Sequence, residues 1–293
     1  MMELGSLAVL PIHSFSISTD GGLRSPRNRV ASRSSNHVTI TKASSCLGGR
    51  SRTRFPWMTG PYMGGKYERG SEDLTVPRVG DRLRRFWDFD DLELSEERFL
   101  AQLEHETSDE GRAEVLTQLA RLHGLRDQFS EGERLITEAE ALAGASVIAG
   151  IRIQLERGRL RRSSGDVAGA LPLFESAYVI AVRAGEQFLA VDAAHMAMLA
   201  APDRHGKLAW TQRGIDIAAA STDRQVAYWV GPLLNNLGCE YQDAGEYEAA
   251  LDAFQRALEV RLRYPENPAA IKHAEAAVDE ALRALGRAGE KLP

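Results

Sequence analysis

One spacing constrains this chain more than anything else in it. In the stretch NNLGCEYQDAGEYEAALDAFQRALEV, Gly238 is followed after twelve residues by Ala250, after four more by Phe254, and after three more by Ala257. The same 12-4-3 ladder runs through Gly158, Ala170, Phe174 and Ala177, and through Ala120, Gly132, Ile136 and Ala139. A weaker copy, His195, Lys207, Thr211 and Gly214, is anchored by the likeness of QRGIDI (212–217) to QRALEV (255–260). Chance can give one such ladder; recurrence of one spacing marks a structural unit repeated along the chain.

The spacing describes paired helices. Small residues at the first two rungs let two antiparallel helices approach closely. Phe174 and Phe254 lie one turn further along the same face, where they are expected to fill the space between neighbouring repeats. Gly165 and Gly245 fall between the two helices, where a tight turn needs a residue without a Cβ. Asp166 supplies an N-cap. No single pair buries its apolar face alone, so the pairs must stack. Gly231-Pro232 should start or kink a helix, Pro172 should bend one, and Pro202-Asp203 should close one and cap the next.

The last copy resembles a tetratricopeptide repeat, through Leu237, Gly238, Tyr241, Ala250, Phe254, Ala257 and a slightly late Pro265. The copy at LERGRLRRSSGDVAGALPLFESA matches less fully, with Arg161 at the tyrosine position; the first copy has His123 there, and the third keeps almost none of the signature. Intervals of 38, 37 and 43 residues separate the copies, longer than the roughly 34 usual for the family. The resemblance implies an all-α, right-handed solenoid of stacked antiparallel helix pairs over 95–293. Its repeats are expected near 113–146, 151–184, 188–221 and 231–264, with a capping helix at 268–287.

Composition separates the remainder. Residues 1–57 hold eleven serines and eight Lys or Arg against Glu3 and Asp20, a charge of +6 against −5 for the whole chain, which leaves −11 for the rest. This leader has little apolar periodicity and is expected to be disordered. A transit peptide, a flexible tail and an over-extended gene model all fit it. Residues 58–94 read as an irregular bridge whose Phe86, Trp87 and Phe89 pin it to the first helices or grip a ligand. Ser95, followed by Glu96 and Glu97, reads as a helix start. An acidic body argues against nucleic-acid binding. No apolar run is expected to approach the roughly 18 residues of a membrane span. Two distant cysteines, Cys46 and Cys239, exclude a disulfide framework and fit a reducing compartment. The expected location is cytoplasmic, or organellar if the leader is a transit peptide.

No constellation for catalysis stands out. The seven histidines show no HExxH spacing, and GxSxG, GxxxxGK[ST] and GxGxxG are all missing. Neither cofactor nor metal is implied. In arrays of this kind, first helices line a concave groove. The resemblance places Asn235, Asn236, Cys239, Gln242 and Asp243 there, with Arg152, Leu155, Arg159 and Arg162, Thr117 and Arg121, and Asp192 and Met196. It further implies that Asn236 hydrogen-bonds an extended peptide backbone, and the arginines suit acidic groups. The expected function is a non-catalytic adaptor for a peptide or protein of unspecified identity; the alternative is a regulatory or assembly module using the array for self-association.

Overall fold

A computed structural model describes residues 81–287. The expected leader, 1–57, and bridge residues 58–80 lie outside the described residues. A 3-10 turn at Arg84–Phe86 is followed by α1 (Leu92–His105). Four helix pairs then follow: α2 (Asp109–Leu125) with α3 (Phe129–Leu142), α4 (Val147–Ser164) with α5 (Val167–Ala184), α6 (Gln187–Ala200) with α7 (Arg204–Ala220), and α9 (Val230–Asp243) with α10 (Tyr247–Leu262). A single turn, α8 (Arg224–Ala227), precedes the last pair, and α11 (Pro268–Ala284) follows it. There is no strand among the described residues. Each helix packs on its pair partner and on the adjacent pair, so the array is a helical repeat built from neighbour contacts.

The ladder residues explain the pairing. Phe174 and Phe254 are 0% and 1% exposed. A Cβ added to Gly158 would come within 2.4 Å of the Phe174 ring, and one added to Gly238 within 2.5 Å of the Phe254 ring. Each glycine is therefore the seat for the phenylalanine of its own pair. The rings also reach the neighbouring helix, as expected: Phe174 shares an apolar cluster with Ala190 and Ala194 of α6. Phe254 also joins Ala274 and Val278 of α11 in one apolar cluster. Gly165 and Gly245 take φ of 104° and 78°, the left-handed conformation the turn requires. Asp166 and Asp203 accept hydrogen bonds from the amides of Gly169 and Gly206 as N-caps.

Two further readings are corrected. Ser95 does not start α1; Asp91 does, accepting the Leu94 amide at 2.9 Å. Ser95 is buried one turn inside, with its hydroxyl donating to the Asp88 carbonyl at 2.7 Å. Secondly, α5 is long and apolar enough, by length and composition, to cross a membrane. Here it packs between α4 and α6, burying Ala170, Phe174, Ala177 and Ala181.

Candidate functional site

The first helices of the pairs differ from the second ones in what they bury. Glu114, Thr117 and Gln118 on α2, Arg152 and Glu156 on α4, Asp192 and His195 on α6, and Asn235, Asn236 and Glu240 on α9 are all buried. Polar groups taken from water at this density must find partners or carry a cost. Most find one another. Arg152 donates to both Asp81 and Glu114, and Arg82 also reaches Glu114, at 3.2 Å. Arg159 donates to Glu156 at 2.7 Å and to Asp192 at 2.5 Å, tying α4 to α6. Lys207 reaches Glu240 at 2.8 Å.

These contacts fix the charge states. Burial works to raise the Asp81 pKa, but the Arg152 charge and hydrogen bond prevail and hold it below the usual carboxylate range. Asp192 is held down in the same way, by Arg159 against burial. Glu156 goes the other way: burial pushes it up despite Arg159 and Arg121. Burial pushes His195 down to about 4, leaving a neutral imidazole at neutral pH.

The segment 81–89 runs over this polar side. Trp87 is 1% exposed, stacks on Phe89 with centroids 4.7 Å apart, meets Phe99 edge-on, and donates its indole N–H to Gln118 at 2.9 Å. The Asp81 amide donates to Gln225, on α8, at 3.3 Å. Between this segment and helices α2, α4, α6, α8 and α9 lies a cavity of about 50 Å³. Its walls bring Arg121, Arg152 and Asp192 together with Trp87, Phe89 and Trp229. Trp87 and Phe89 thus both pin the segment and face the cavity, while Phe86 packs against Phe99.

The remaining expected site residues lie elsewhere. Arg159, Arg162, Met196, Asn235, Asn236 and Gln242 are not among the cavity walls. Arg162 donates to the Leu199 carbonyl at 3.5 Å, and Met196 is buried in an apolar cluster with residues of α5. Gln242 donates to Glu280 of α11 at 3.1 Å. Asn235 leans on the Cys239 sulfur at 3.9 Å, and its Oδ1, like Nδ2 of Asn236, has no hydrogen-bond partner. Of the residues expected to share a basic concavity, Arg121 and Arg152 line this cavity, whereas Arg159, Arg162 and Asn236 do not. Arg152 and Arg159 are answered by carboxylates of the same chain, Arg162 reaches a backbone carbonyl, and Asn236 is not among the cavity walls. Asp81, Glu114 and Glu156 were missed, since nothing local in the sequence links Asp81 to an arginine 71 residues away.

Among the described residues no group of three or more His, Cys, Asp or Glu side chains could hold a metal ion. The family model of the tetratricopeptide repeat matches residues 232–261, the α9–α10 pair. No curated protein matches the chain. The ladder, the neighbour-packed pairs and this match agree: the chain is a helical-repeat protein that contains a tetratricopeptide repeat.

Proposed function

We propose that the array is a non-catalytic interaction module that holds a protein or peptide partner on the polar side formed by its first helices. The observation that carries this reading is the tetratricopeptide repeat at 232–261, a module that commonly mediates protein–protein contact. Asn235 and Asn236 bring carboxamides, which both donate and accept as a peptide backbone does, to the first helix of that repeat; both are buried, so a partner must displace neighbouring side chains to reach them. Arg152 and Arg159 serve this surface indirectly, by holding α2, α4 and α6 in register. Affinity is expected to come from shape and neutral hydrogen bonds, with little dependence on salt.

The test is affinity capture from cells with the full chain as bait, followed by identification of what co-purifies and titration of that partner. Asn236→Ala should weaken binding about tenfold, the scale of one lost hydrogen bond at a desolvated contact, with helicity unchanged. Equal binding by the variant would place recognition away from α9.

A further inference from the structure

The outer face of α5 differs from those of the other second helices. At about 3.6 residues per turn, Ala168, Pro172, Glu175, Val179 and Val182 fall on one stripe, opposite the buried Ala170, Phe174, Ala177 and Ala181. All five are exposed, Val179 at 42% and Val182 at 48%. Their 4-3-4-3 spacing is that of a helix-pairing seam. At the ladder-equivalent positions α3 carries Arg134 and Thr137, α7 carries Gln212 and Asp216, and α10 carries Asp252 and Glu259, all exposed. In those three helices the outer side turns polar groups to water, as a surface helix does; in α5 it does not. The mean hydropathy of α5 is 1.4, and Glu175 and Arg183 are its two charged residues. Both are exposed, and neither joins an ion pair among the described residues.

We propose that this stripe is a homodimer seam, in which α5 of one copy packs antiparallel against α5 of a second copy about a twofold axis at Val179. The charge pattern selects this occupant. Glu175 precedes Val179 by four residues and Arg183 follows it by four, so they lie about 6 Å to either side of it along the helix. A twofold axis through Val179 reverses one helix, which brings Glu175 of each copy level with Arg183 of the other. Two ion pairs then flank an apolar centre made by Val179 and Val182 of both copies. A parallel pairing would instead set Glu175 against Glu175 and Arg183 against Arg183; charges beside such a seam fix orientation and partner in this way. A bilayer is a poorer occupant, because it would have to take up Glu175 from the middle of the stripe. The opposite face of α5 is already committed to α4 and α6. One helix seam lies at the small end of protein interfaces, so the dimer is expected to be weak, with Kd on the order of 50 µM.

The experiment is sedimentation velocity on the full chain between about 5 and 500 µM, over which mass action around that Kd should carry it from monomer to mostly dimer. Val179→Glu should hold the chain monomeric across the range with circular dichroism unchanged, because the side chain it replaces is exposed. Glu175→Arg and Arg183→Glu each set like charges together and should weaken the dimer about tenfold. Mixed one to one, these two variants again match opposite charges, and the heterodimer should regain the unsubstituted affinity. That rescue reads the pairing even if Val179→Glu folds poorly. A monomer at about 500 µM, a dimer indifferent to Val179→Glu in its folded form, or a mixture no tighter than its components would overturn the proposal. So would flotation of a monomeric chain with phosphatidylcholine vesicles, which would assign the stripe to a membrane surface. Asn236→Ala should leave the dimer as it is, so this seam and the partner surface can fail separately.

Discussion

At the scale of single residues, the repeat is a statement about two atoms' worth of space. Gly238 lacks the Cβ that would otherwise collide with Phe254, and Phe254 fills what the glycine leaves open. Such a ring has no way to relax when shortened. Phe254→Ala is therefore expected to cost about 3–5 kcal/mol in urea unfolding, the range for a buried phenylalanine truncated in a packed core. A cost near zero would mean the ring does not occupy this seat. This part of the fold was readable in advance, because a glycine and an aromatic sixteen residues apart report a steric fit that needs no other partner. The fates of Arg152 and Arg159 were not readable. An arginine on a polar helix looks the same whether it faces solvent or a carboxylate from another element, and here Glu114, Asp81 and Asp192 decide.

At the scale of elements, the boundaries follow capping chemistry wherever a short polar side chain meets the first turn. Asp91, Ser108, Ser146, Asp166, Asp203 and Asn267 each accept an amide hydrogen bond from their helices. Asp166 and Asp203 were legible because a glycine or proline breaks the pattern just before them. Asp91 was not, since Asp88, Asp90, Asp91 and Ser95 compete for the same role within eight residues and only the path of the preceding chain separates them. The turn α8 was also missed: its four residues are too few to show a period. Asp203→Ala should cost about 1 kcal/mol, the usual loss for an N-cap aspartate. Thermal and urea unfolding would register that drop, and an unchanged midpoint would mean that α7 is held by packing alone.

At the scale of the whole described array, apolar and polar layers divide the work. Second helices carry most of the apolar ladder residues, while first helices bury an ion-pair network reaching from Glu114 on α2 to Asp192 on α6. The network also binds Asp81, so the segment 81–89 belongs to the array's inner side and neutralises cations that would otherwise make that side basic. Breaking a buried pair from one end leaves the other charge without its match, at about 3–5 kcal/mol. Removing both ends should cost much less than the sum. A double-mutant cycle with Asp81→Ala and Arg152→Met, read by urea unfolding of the full chain, measures this coupling without reference to any partner. A coupling energy of about 2 kcal/mol is expected for two groups in direct contact within one network. Additivity within about 0.5 kcal/mol would show that Arg152 is not held by the chain's own carboxylate, and would return the inner side to a basic groove open to acidic ligands.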